Sequence, residues 1–208
     1  MIWDTLAAIP WPQLAGFVAG GLVLNVAPGQ DVFFATACGV QGGARAGALA
    51  GLGVGFGVLV HVALTTLGLG AVVAAHPGAL TAIRWLGAAY LAVLAVQAWR
   101  APPPDPTARG SVRPWTIIRR GMLSNLLNPK PLLFLLAFLP QFTSPAYGPL
   151  WQQLLALGLI FAFTGTLVTM AYGAAGGWLG MRLGARLGVL NKAAAVLFGA
   201  LALRLVVR

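Results

Sequence analysis

"NVAPGQDVFF", Asn25–Phe34, interrupts an apolar stretch with an amide, a proline–glycine pair, a second amide and an acid. Proline has no N–H and its ring clashes with the preceding turn, so a helix arriving at Ala27 must break there. Asp31 is one of only three acidic residues in the chain. The others, Asp4 and Asp105, lie near the N-terminus and in a proline-rich stretch. An acid set between apolar runs needs a partner or a wet cavity to hold its charge.

The surrounding composition says which medium the break sits in. The 208-residue chain is 59% hydrophobic and 8% charged, with a mean hydropathy of +0.87. Soluble domains carry about 25% charged residues. Too little charge is present here to coat a core against water, so the chain reads as an all-α integral membrane protein. Its 28 glycines suit helices that approach closely in lipid. The formal net charge of +10 does not point to nucleic acid, because the basic residues lie between apolar runs and form no basic domain or helical face. Cys38 is the single cysteine, which excludes an intramolecular disulfide and a cysteine metal site. It reads as a small packing residue. The opening "MIWDTLAAIPWPQ" lacks the basic n-region of a secretory signal and is expected to be retained.

About 20 apolar residues cross a hydrocarbon core of ~30 Å. Six stretches meet or approach that length: Leu14 to Cys38, Ala46 to Val73, Leu80 to Trp99, Trp115 to Leu139, Leu150 to Ala174 and Leu190 to Val207. The first is broken at Pro28-Gly29 and the fourth around Pro129. Five spans are the alternative, with the first segment re-entering instead of crossing. Pro102 to Pro106 forbid a helix in the central "RAPPPDPTARGSVRPW". The chain thus divides into residues 1–100, a linker at 101–114, and residues 115–208. Arg45, the linker arginines, Arg182, Arg186 and Lys192 fall on one side of a six-span arrangement. That side is the cytoplasm by the positive-inside rule, which places both termini outside.

The two parts share a device. Gly21 is followed by Asn25 and then Pro28; Gly121 is followed by Asn125 and then Asn128-Pro129. Three spans per part give the copies opposite orientations, as in inverted-repeat transporters whose paired broken helices mark the binding site. From Leu14 to Pro28 is ~21 Å of helix and from Ile117 to Pro129 ~18 Å, so both breaks reach mid-membrane. The candidate site gathers Asn25, Pro28, Gly29, Gln30 and Asp31 with Asn125, Asn128, Pro129 and Lys130. A carboxylate at that depth costs about 2.5–3.5 kcal/mol on insertion scales, and Lys130 is the obvious counter-charge. The pair reads either as structural glue or as the two ends of a site for a zwitterion. Simple proline kinks are the plainer alternative for either break taken alone.

His61, near the middle of the second span, reads as a proton relay or as a histidine bonded to a backbone carbonyl. Asp31 and His61 are the candidates for proton coupling. Gly39, Gly43, Gly47, Gly51 and Gly55 form a small-residue ridge for close helix contact. Gly176, Gly180, Gly184 and Gly188, interspersed with Arg182 and Arg186, read as an interfacial helix. Tryptophans near the span ends fit an aromatic belt. No catalytic set, nucleotide loop, cofactor site or metal cluster is evident, so the chain is not read as an enzyme, and any transport draws on a gradient.

The two broken segments resemble those of the LysE/RhtB family of bacterial amino-acid exporters. The likeness rests on Pro28-Gly29-Gln30-Asp31 and the glycine-rich stretch after it, on "GMLSNLLNPKPLLFLLAFLPQF", and on the third span "IRWLGAAYLAVLAVQAWR". It runs through essentially the whole chain. Gln30 departs from it, standing where the family has the second proline of Pro-Gly-Pro. The resemblance implies export of an amino acid or close derivative across the bacterial inner membrane, coupled to protons. The partners it implies are that small molecule and the lipid bilayer, with a homodimer left open. A metal or small-ion exporter, or a non-transporting membrane subunit, are the competing readings.

Overall fold

The computed structural model describes residues 2–75 and 113–179, with isolated helical positions between 85 and 100 and between 192 and 203. The described structure is helical: α1 Ile2–Ala8, α2 Trp11–Val26, α3 Gln30–Ala75, α4 Pro114–Leu126, α5 Pro129–Phe138 and α6 Leu150–Leu179, with 3₁₀ turns at Leu139–Phe142 and Pro145–Tyr147. Apart from those isolated positions the expected third and sixth spans, and with them most of the linker, Arg182 and Arg186, lie outside the described residues.

Gly42–Gly68 and Leu150–Trp178 are each long and apolar enough to cross a membrane. Two further units are bent pairs, Trp11–Val26 with Gln30–Val40 and Pro114–Leu126 with Lys130–Phe142, each bent by 53°. Local chemistry explains the punctuation. Proline stands in the first turn of α2, α4 and α5, where its missing N–H has no helical partner to lose. The Asn128 side chain caps α5 by accepting from Lys130 N at 3.0 Å. Gln30, the departure from Pro-Gly-Pro, opens α3 and leaves the bend in place.

The glycine ridge packs as expected, with one correction. A Cβ on Gly39 or Gly47 would strike the Gly173 backbone, on Gly51 the Met170 backbone, and on Gly55 the Thr166 side chain. Gly43 joins this seam through its backbone, since a Cβ on Gly177 would come within 2.6 Å of Gly43 C, but it is not helical: its φ is +81°. It is the non-helical corner between the two arms of α3, in a conformation that costs glycine nothing. Gly176 is a second correction. It lies inside α6 against Thr36, so the fifth span runs past Ala174 and the interfacial reading fails for this residue.

The core beside the site is aromatic. Phe138 stacks on Phe134 at 4.5 Å and on Phe17 at 5.7 Å, and Phe134 reaches Phe161 at 5.5 Å. The short helix α1, which sequence reading did not anticipate, is tied to α6 through Thr5, whose hydroxyl donates to Gln152 Oε1 at 2.8 Å. Buried Gln153 orders the adjoining turn by donating to Ser144 O and Gly148 O.

Candidate functional site

The site forms where the two breaks meet. At the first, α2 ends at Val26 and α3 begins at Gln30, which separates the Val26 and Ala27 carbonyls from their usual helical donors. Tyr172 of α6 donates its hydroxyl to Val26 O at 3.0 Å, and Lys130 Nζ donates to Ala27 O at 3.5 Å. Asn25 Nδ2 donates to Thr164 Oγ1 at 3.1 Å. At the second break, Pro129 has no N–H to offer Asn125 O, which accepts from Asn128 N at 3.0 Å instead. His61 Nε2 lies 3.1 Å from that oxygen; a carbonyl only accepts, so the ring carries its proton on Nε2. Gln30 Nε2 donates to Ser124 O and Oγ at 3.3 and 3.2 Å. Each break is thus held by side chains from the other segment.

Asp31 sits at the centre. Its Oδ2 accepts from Asn125 Nδ2 at 2.9 Å and from Asn128 Nδ2 at 3.1 Å. Because Asn128 Oδ1 accepts from Lys130 N, both ends of that amide are assigned by their partners. Asp31 Oδ1 is buried with no hydrogen-bond partner among the described residues, as is Asn125 Oδ1. The direct contacts to the carboxylate therefore come from two amides, and Lys130 faces the same cavity beside them. That cavity is about 50 Å³, several times the ~10–15 Å³ that one water needs. Asn25, Asp31, Asn125, Asn128 and Lys130 form its polar wall; Leu24, Val54, Val58 and Phe161 form the apolar one.

Of the residues expected from sequence, Gly29 also lines the cavity, and a Cβ there would come within 3.1 Å of Lys130 Nζ. Pro28 and Pro129 shape the breaks. Gln30 turns outward to Ser124 in an exposed contact. His61 is buried and reaches Asp31 only through Asn125, which takes one with its carbonyl and the other with its amide. Sequence reading missed Tyr172, Thr164 and Thr169, whose side chains come from α6, and the two glycines that seat the asparagines. A Cβ at Gly57 would lie 2.6 Å from Asn125 Oδ1, and one at Gly165 2.9 Å from Asn25 Oδ1.

Residues 22–208 match the family model described as LysE type translocator. The chain belongs to this family. This LysE type translocator is therefore a multi-pass protein of the bacterial inner membrane and not an enzyme. It is 34% identical to an uncharacterized membrane protein of Vibrio cholerae serotype O1, over 79% of this chain and 80% of that one. It is 32% identical to the homoserine/homoserine lactone efflux protein of Salmonella typhi, over 72% and 73% of the two chains. It is also 32% identical to a leucine efflux protein of Enterobacter sp., over 61% of each. No solved structure matches it.

Proposed function

We propose that this translocator exports a neutral amino acid, or a close derivative, from the cytoplasm and binds it in the cavity between the two breaks. The observation that carries this reading is the buried Asp31 Oδ1, an acceptor without a partner among the described residues, in a cavity that also holds the Lys130 ammonium. One fixed negative and one fixed positive group suit the ammonium and carboxylate of a zwitterion. The remaining acids of the chain are Asp4, in α1, and Asp105, in the proline-rich stretch. Among the described residues no second carboxylate lines the cavity to take a cationic side chain, and Leu24, Val54, Val58 and Phe161 offer an apolar wall instead. The names of the Salmonella and Enterobacter relatives, which concern homoserine, its lactone and leucine, agree with this choice.

The cycle has two inverted three-helix repeats, residues 1–100 and 115–208, rocking about the breaks, and is driven by protons. Asp31 is the proton carrier, because the moving breaks would expose it to each face in turn; His61 acts on it through Asn125. A metal or small-ion exporter has less support, since no three His, Cys, Asp or Glu residues gather among the described residues. The test uses purified protein in liposomes loaded with leucine, homoserine or lysine under an imposed pH gradient. Leucine and homoserine leave against their gradients, lysine does not, and Asp31→Asn abolishes the driven flux. Preferred efflux of lysine, or full driven flux through Asp31→Asn, would sink the reading.

A further inference from the structure

Tyr172 and His61 stand in matching relations to the two breaks. The Tyr172 hydroxyl donates to Val26 O at 3.0 Å, and His61 Nε2 to Asn125 O at 3.1 Å. Each is a bond from a long helix to a carbonyl at a break: Val26 O has lost its helical donor, and Asn125 O keeps one short-range bond, from Asn128 N at 3.0 Å. Each also crosses between segments: Tyr172 runs from α6 to the first break, His61 from α3 to the second.

Their heights differ. Gly47 meets Gly173, Gly51 meets Met170, Gly55 meets Thr166, and Gly158 meets Val62. The helices α3 and α6 therefore run antiparallel in a fixed register. On it, Tyr172 lies level with about residue 48 of α3, and His61 about 13 residues further on, ~20 Å along the axis. The site falls between them. Asn125 packs on Gly57, and Asn25 on Gly165, which is level with about residue 55. Tyr172 thus sits on the side of the cavity toward the Gly43 corner, and His61 on the side toward the Leu150 end of α6.

We infer that Tyr172 and His61 are the two latches of the transport cycle, each holding the broken helices closed on its own side of the site. This rests on the alternating-access reading given above. Opening toward the Gly43 corner parts the first break from α6 and releases the Tyr172–Val26 bond. Opening toward the Leu150 end parts the second break from α3 and releases the His61–Asn125 bond. Losing a donor to a buried carbonyl is unfavourable, so each bond favours closure until water enters the opened side and replaces it, the Tyr172 bond more strongly because Asn125 O retains Asn128 N. Both are positioning residues: they act on the site by holding the backbone that frames it.

The experiment places a single cysteine on the cavity wall, Val58→Cys with Cys38→Ala, in the full-length protein in oriented membrane vesicles. Labelling by an impermeant maleimide is read from each face. Tyr172→Phe, which removes one hydroxyl, raises labelling several-fold from the Gly43 face and leaves the other face unchanged. His61→Leu does the reverse, and His61→Gln, which keeps a donor, labels like the parent. If His61→Leu does not fold, Tyr172→Phe alone decides. Equal increases from both faces, or no change from either, would overturn the latches. Labelling of parent and variants from one face only would refute the alternating cycle, and the latches with it.

Discussion

The carboxylate of Asp31 is held by the side-chain amide of Asn125, 2.9 Å away and 94 residues further along the chain. With Asn128 as the second donor, one carboxylate oxygen is satisfied while the net negative charge stays available to a ligand. A direct ion pair with Lys130 would instead consume that charge.

The partnership can be measured. Asp31→Asn and Asn125→Ala, tested for stability in detergent singly and together, should show a coupling of about 1.5–3 kcal/mol, as for hydrogen bonds to charged groups. Asp31→Asn with Lys130→Met should couple less strongly. A larger coupling to Lys130 than to Asn125 would make the ion pair, and not the amides, the support of Asp31.

Gly57 and Gly165 set the positions of the two asparagines. An alanine at either must push an amide that lines the cavity, with an overpacking cost of about 1–3 kcal/mol. Gly57→Ala and Gly165→Ala should both depress efflux, Gly57→Ala more because its contact is closer. Gly68→Ala is the control: nothing lies within 4 Å there, and the better helix former should stabilise by up to ~1 kcal/mol. Normal efflux by Gly57→Ala would mean that Asn125 is not seated as described.

Gly43 carries the corner of α3 at φ +81°. With ψ at 174° this is a region that essentially only glycine occupies, and a Cβ there costs on the order of 1–3 kcal/mol, so Gly43→Ala and Gly43→Asn should both lower the melting temperature. Equal melting temperatures for all three proteins would show that the corner does not hold this positive-φ conformation.

Gln30→Pro restores the proline at the second position of the Pro-Gly-Pro pattern. Residue 30 is the first of α3, where proline is best tolerated. The variant should fold normally and lose only the exposed contacts to Ser124. Failure to insert or fold would show that the break depends on the glutamine.

Both breaks were legible because proline and glycine act through the backbone, and their effect is local. The ridge was legible for the same reason, but the corner at Gly43 was not. Its spacing matches the ridge and its backbone packs on Gly177, while its positive φ leaves no mark in the spacing. Gly57 belongs to a second file, begun by Gly53, that packs against α4; the sequence "GLGVGFG" contains both files, and spacing alone does not say which neighbour each one meets. Asn125 and Asp31 were singled out, yet their bond depends on how two distant segments dock. Tyr172 gave no signal at all, since a tyrosine in an apolar helix also fits a packing or belt role.

The cross-held breaks also bear on how the chain is made. Residues 25–31 leave the ribosome well before Asn125, Asn128 and Lys130 exist. At ~5–20 residues per second, the gap of 94 residues between Asp31 and Asn125 lasts roughly 5–20 s. Throughout that interval the nascent first segment carries a carboxylate and two bare carbonyls that its own residues do not satisfy. It must wait where water reaches them, at the bilayer surface or inside the insertion machinery, and settle at full depth only when its complement arrives.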